Sequence, residues 1–434
     1  MRYGLAATIA SQRVRAGRFS RSRYGSLVRV GMDIAMQGTF RLLAGWLIDG
    51  TGGSVLRNVV AEVEQGIIIS IRKMTKEDFL SPAVIDFSQC TVVPGLVDCH
   101  VHLTMSGTKN PDMRRSQLQS PFKEAQPVIH RHILQHLAHG VLALRDGGDY
   151  AAHTLRYKLE HLPLTDLPIH LKAAGRAWRS AGRYGRLIGR PPLDGLSLAQ
   201  SIALGEEMTD HIKIVNSGLN SLLEFGKETP PQFTLDALAA AVRSGQRQGL
   251  KIMVHANGLV PVKLAVEAGC HSIEHGFFMG GENLQAMAER PVFWVPTAYS
   301  MKAYSEQLES GSREALTAGM NLDHQLEQLA RAKERGVPIA VGTDGGSLGV
   351  HHGRAFVEEL KLLMEAGYSL ESTIRCASLN GALLLNLGNE LGCLKSGMPA
   401  SFIVTRGGPS CLPDALKYPH SVFIRGISWL PEQA

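Results

Sequence analysis

Five short apolar runs along this chain each carry metal-ligand-type side chains at or near a strand end, and few folds accommodate that pattern. The first run is Val93-Pro94-Gly95-Leu96-Val97-Asp98-Cys99-His100-Val101-His102-Leu103. Alternate residues of a strand share a face, so His100 and His102 project to one side. Leu96, Val97, Cys99, Val101 and Leu103 make the strand apolar enough for burial on both faces, while Cys99, of opposite parity, points away from the two imidazoles. Downstream, Lys213 lies in His211-Ile212-Lys213-Ile214-Val215 and His255 in Lys251-Ile252-Met253-Val254-His255. His275 ends Ser272-Ile273-Glu274-His275, and Asp344 ends Ile339-Ala340-Val341-Gly342-Thr343-Asp344. Glycine follows soon after each of these four runs, and helix-like stretches such as Thr234 to Gly249 and Glu282 to Glu289 separate them. Strands alternating with helices, with functional groups at strand ends, predict an α/β fold of the (β/α)8 TIM-like barrel class. The site of such a fold is built at the carboxyl ends of its strands.

Imidazoles converging from rigid strands are natural metal ligands. Each residue also has a plainer reading. His255 suits a satisfied core histidine, and Asp344 a turn residue before Gly345-Gly346. A lone ammonium is costly in an apolar strand, so Lys213 must be ion-paired or chemically altered, and its position leaves both open.

The order His100-x-His102, Lys213, His255, His275, Asp344 resembles the binuclear metal pattern of the amidohydrolase superfamily. Within that superfamily the chain is most similar to the branch of Xaa-Pro dipeptidase and imidazolonepropionase. The stretches that carry this are Gly140-Val141-Leu142-Ala143-Leu144-Arg145-Asp146-Gly147-Gly148, Asp210 to Val215, Ser272 to Gly276 and Val341 to Gly346. The resemblance implies two divalent metal ions, zinc being the expected metal, held by His100, His102, Lys213, His255, His275 and Asp344. It implies that Lys213 takes up carbon dioxide to form a carbamate bridging the metals. It also implies that a metal-bridging hydroxide attacks the substrate carbonyl while Asp344 acts as general base and then acid. Tyr184, in Ala181-Gly182-Arg183-Tyr184-Gly185-Arg186, stands where relatives often have histidine, and is read as a catalytic hydrogen-bond donor. Arg183 and Arg186 could pair a substrate carboxylate but read more simply as solvated loop charges. His351, His352 and Arg354 are weaker candidates.

The expected activity is hydrolysis of an amide-type C–N bond, in a dipeptide-like or N-acyl amino-acid substrate. One rival is a mononuclear deaminase or imidazolonepropionase-like cyclic amide hydrolase. Many of these carry a glutamate three residues after the strand-five histidine, where this chain has Gly258, and they have no use for Lys213. Another rival is an inactive scaffold on the same fold, which loss of ligands would have signalled, and none is lost. Ser217-Gly218-Leu219 departs from the Thr-Gly-Gly of dipeptidase-like relatives, which bears on the substrate rather than on hydrolysis.

Short strands at Leu42 to Ile48, Leu56 to Val63, Ile67 to Arg72 and Val84 to Phe87 precede the barrel, and Phe402 to Thr405 and Ser421 to Ile424 follow it. They predict a small β-sandwich made from both chain ends, residues 38–92 plus 392–434, around a barrel at 93–391. Residues 1–37 form an arginine-rich arm expected not to pack. Residues 1–31 hold seven arginines and no Asp, Glu or Lys, so the net charge of +6 becomes −1 without them. The body therefore gives no charge case for nucleic acid. The arm has the composition of a transit peptide, although an upstream start, with Met32 or Met36 as the true beginning, is the simpler reading. No run approaches the ~20 apolar residues of a membrane span. Six cysteines without paired spacing suggest reduced thiols and a cytoplasmic location. A homo-oligomer acting on a small molecule is the expected assembly.

Overall fold

The computed structural model describes residues 38–81, 83–205 and 207–429, so the arm at 1–37 lies outside the described residues. Among the described residues there are sixteen strands: β1 Thr39–Leu47, β2 Leu56–Glu64, β3 Ile67–Lys73, β4 Val84–Pro94, β5 Leu96–Val101, β6 Val141–Asp146, β7 His170–Ala173, β8 Ala177–Trp178, β9 Gly189–Arg190, β10 His211–Val215, β11 Lys251–Ala256, β12 Ser272–His275, β13 Phe293–Val295, β14 Phe402–Arg406, β15 Ser421–Ile424 and β16 Ile427–Trp429.

The middle of the chain is α/β. One parallel sheet runs β5-β6-β7 and a second β13-β12-β11-β10-β8-β9. Every residue of β5, β6 and β10 is buried, the charged Asp98, Arg145, Asp146 and Lys213 among them, as in parallel strands covered on both faces. The segment 338–345 lies between the sheets. Cys99 N–H donates to Val341 O (2.8 Å) and Asp344 N–H to His100 O (2.8 Å), while on the other side Ala340 N–H donates to Trp294 O (3.0 Å). Asp210 N–H donates to Ala173 O (3.0 Å), which ties β7 to the start of β10.

Helices cover these strands by the expected periodicity. In Leu235–Arg247 the buried residues Leu238, Ala241, Val242 and Gly245 form one stripe, and Thr234 caps the first turn by accepting from Ala237 N–H (3.3 Å). Gly245 makes the contact close. A Cβ there would meet Ile252 Cδ1 at 2.5 Å and Ile212 Cδ1 at 2.7 Å, so this glycine lets the helix lie against β10 and β11.

Strands from both chain ends form one seven-stranded mixed sheet, β16-β15-β14-β4-β1-β2-β3, in which β1 and β4 are parallel. As the sequence predicts, both chain ends contribute strands, and they join in one ladder in which β4 pairs with β1 on one side and β14 on the other. The sheet curls. Ala400 N–H donates to Gly66 O (2.7 Å) and Gly426 N–H to Ala400 O (2.8 Å), which draws the β2–β3 turn onto the β15–β16 turn. The enclosed side holds its own core, with Phe40, Leu42, Val63, Ile68, Phe402 and Phe423. Among the described residues no helix is long and apolar enough to cross a membrane.

Candidate metal centre

His100, His102, Lys213, His255, His275 and Asp344 all line one cavity of about 290 Å³, at the carboxyl ends of the parallel strands. His100, His102 and Asp344 form its tightest cluster, with both Nε2 atoms 3.6 Å from Asp344 Oδ1. His275 bridges to the other side, its ring centroid 4.9 Å from that of His100 and 4.7 Å from that of His255. Cys99 Sγ instead faces the helix Leu379–Leu384, where a Cβ on Gly381 would meet it at 3.1 Å. Strand parity therefore holds for this residue.

Each of the four histidines has one ring nitrogen engaged, leaving the other as a donor atom. His100 Nδ1 donates to Glu274 Oε2 (2.8 Å), and His102 Nδ1 to Gly148 O (2.9 Å). His255 Nε2 donates to Gly218 O (3.1 Å), and His275 Nδ1 is hydrogen-bonded to Thr297 Oγ1 (2.7 Å). Such partners set the tautomer and aim of a metal-binding imidazole. Burial also keeps the rings neutral, as ligation needs: it holds His100 and His275 well below the usual imidazole range and His255 at about 3.

Lys213 Nζ is fully buried and has no hydrogen-bond partner among the described residues. Burial lowers its pKa to about 8, against the opposing pull of Glu274, so a neutral amine is accessible near physiological pH. Burial pushes the Asp344 carboxyl up, a direction that an adjacent cation reverses. Asp344 also accepts from Ser347 Oγ (2.6 Å). Four imidazoles, a carboxylate and an orphaned amine around one cavity fit a divalent-metal centre.

The backbone is shaped for this convergence. Glu274 and His275 are neighbours on β12, so in an extended strand they would face opposite ways. His275 takes φ 67°, in the left-handed region, and that turn lets both residues reach the site. Asp344 also has positive φ (58°); such conformations persist only where surroundings enforce them. A Cβ on Gly147 would lie 2.8 Å from His102 Cε1 and 3.3 Å from His100 Nε2, so β6 can pass this closely only with glycine there.

Reading the sequence for ligands missed the supports. Glu274 is 0% exposed; besides His100 it accepts from Arg145 Nη2 (2.9 Å) and Ser272 Oγ, and Arg145 Nε donates to Cys99 O (2.7 Å). Asp98, also buried, accepts from the N–H groups of His100 (3.2 Å) and Thr343 (3.0 Å), joining the two strand ends that carry the tight cluster. The signal that singled out Lys213, a charge inside an apolar run, applies equally to Glu274, Asp98 and Arg145. Glu274→Gln is expected to weaken divalent-metal affinity by about 10–100-fold, read by titration against a competing chelator.

Tyr184 is 40% exposed on the cavity wall, with its ring 5.4 Å from that of His255. Arg183 and Arg186 are exposed and off that wall, and Arg183 Nη2 donates to Pro230 O (2.9 Å). His352 is buried outside the cavity, bonded to Met105 O (2.7 Å) and His136 (3.1 Å).

Residues 91–426 match the amidohydrolase family. Ochratoxinase of Aspergillus niger is 22% identical over 397 residues, covering 85% of this chain and 81% of the relative. Imidazolonepropionase of Syntrophobacter fumaroxidans is 24% identical over 354 residues, covering 74% and 76% respectively. Among solved structures, a Xaa-Pro dipeptidase with bound methionine in its active site superposes with a TM-score of 0.73 at 25% identity, over 90% of this chain and 99% of that one. With the family match spanning most of the chain and the ligand-type residues gathered in one cavity, this protein belongs to the amidohydrolase family and is a hydrolase.

Proposed function

We propose that this chain is a metal-dependent hydrolase of an amide-type C–N bond in a dipeptide-like or N-acyl amino-acid substrate. In this reading the parallel strands and the segment 338–345 form a closed (β/α)8 barrel, and His100, His102, Lys213, His255, His275 and Asp344 hold two zinc ions at its mouth. The observation that carries it is the pairing of four histidines, each with one nitrogen spare, with the partnerless Nζ of Lys213 in the same cavity. A neutral Lys213 amine attacks carbon dioxide, losing a proton, and the resulting carbamate offers two oxygens where the ammonium offered none.

Bound divalent metals lower the pKa of water and polarise a carbonyl oxygen. The side chains do the rest. Asp344 accepts the proton of the attacking water at a carboxylate oxygen and returns it to the departing amine, with Ser347 holding its other oxygen. Tyr184 donates its O–H to the substrate carbonyl oxygen or carboxylate. Tyr184→Phe should leave metal content unchanged and lower kcat/KM by about 10–100-fold, the scale of one hydrogen bond to a charged group. The deaminase-like rival is disfavoured at Gly258. That residue is glycine with φ 91°, a left-handed backbone conformation that strains any other side chain, so the position does not suit the glutamate of that class.

The test is to load purified protein with zinc and bicarbonate and assay dipeptides and N-acyl amino acids, before and after chelation. Hydrolysis abolished by chelation and restored by zinc is the expected result. Turnover that is indifferent to chelation, or absent from both classes, overturns the reading.

A further inference from the structure

The wall of the cavity above the metal centre is largely apolar, with Met105, Leu118, Leu219, Phe277 and Met301 on it. Arg114, from the helix Pro111–Gln119, interrupts it; among the described residues it is, apart from Lys213, the only lysine or arginine lining this cavity. The side chain is half-buried, and its Nη1 donates to Gly346 O (3.2 Å) and more weakly to Thr108 O (3.5 Å). Among the described residues no carboxylate pairs with it, and its Nε and Nη2 have no protein partner.

A guanidinium presents five N–H donors in a planar fork, so anchoring through one nitrogen leaves an edge free for a carboxylate. The anchor is informative. Gly346 lies two residues beyond Asp344, so Arg114 is held on the Asp344 side of the cavity, near Tyr304, whose phenol feels its charge. A cation set in an apolar wall with no counter-ion is favoured when a ligand brings the negative charge.

We propose that Arg114 is the counter-ion for a substrate carboxylate, so that the site selects amides bearing a free carboxylate together with a bulky apolar group. This rests on the amide-hydrolase reading above. A merely structural Arg114, clamping Gly346 to steady the Asp344 loop, would influence charged and neutral substrates alike.

The experiment compares N-benzoyl-leucine with N-benzoyl-leucinamide on zinc-loaded enzyme, following benzoate release so that only the shared amide bond is read. Wild-type enzyme should favour the carboxylate in kcat/KM by about 10–100-fold, chiefly through KM. Arg114→Met should erase that preference, with the larger loss on the carboxylate substrate, and Arg114→Lys, which keeps a positive charge, should retain part of it. Equal turnover of both compounds by wild type, or an equal loss on both in Arg114→Met and Arg114→Lys, overturns the role of Arg114 and leaves the hydrolase reading standing. No release of benzoate from either compound, together with no turnover of other N-acyl amino acids or of dipeptides, defeats the amide-hydrolase reading, and the proposal with it.

Discussion

Asp344→Asn is expected to keep much of its metal yet lose turnover by ~10²–10⁴-fold, the usual contribution of general acid–base catalysis. Asparagine has nearly the same shape and retains an oxygen donor, but cannot take up a proton at neutral pH. The surroundings make this a clean comparison. The backbone of Asp344 is pinned by its N–H bond to His100 O, and an asparagine oxygen can still accept from Ser347 Oγ. The left-handed φ of 58° suits asparagine at least as well as aspartate. Elemental analysis together with steady-state rates on a confirmed substrate decides it. Near wild-type activity would mean that Asp344 is not the proton carrier.

The second large effect is expected at Lys213. Lys213→Met keeps an unbranched stem in a fully buried position and removes the orphaned amine, so the fold should survive with an unchanged or raised melting temperature. Metal content should fall from about two ions per chain to one or fewer, and turnover should drop at least as far as in Asp344→Asn. Bicarbonate should speed recovery of the metal-stripped wild type and have no effect on the variant. Full metal content and rate in Lys213→Met would remove the carbamate from the mechanism and revive a single-metal enzyme.

How much of this was legible beforehand differed by element. The strand leading to His100 and His102 was, because Leu96, Val97, Cys99 and Val101 suit a buried parallel strand, and β5, which ends at Val101 just before His102, is buried throughout. Leu235–Arg247 was also legible, since its cap and its apolar stripe both lie in the local sequence. Arg114 was not, since nothing near it in sequence marks it, and it meets the cavity only because its helix folds back over the strand ends. Arg183 and Arg186, read from the sequence most simply as solvated loop charges, are carried outward by their loop. That both chain ends meet in one β unit was legible from the two sets of short strands, whereas the strand order was not, because alternation does not say which strand pairs with which.

By itself the sequence determined the alternation of strands and helices, the identity of the metal-ligand-type residues and their order, because these depend on side-chain chemistry and short periodicities. Tertiary structure alone decided that Glu274 sits behind His100, that His275 turns into the site through a left-handed residue, and that Lys213 ends without a partner. Those outcomes depend on which strands become neighbours and how closely their backbones pass, as at Gly147. Such long-range packing is a property of the whole assembled core, and no local run of residues encodes it.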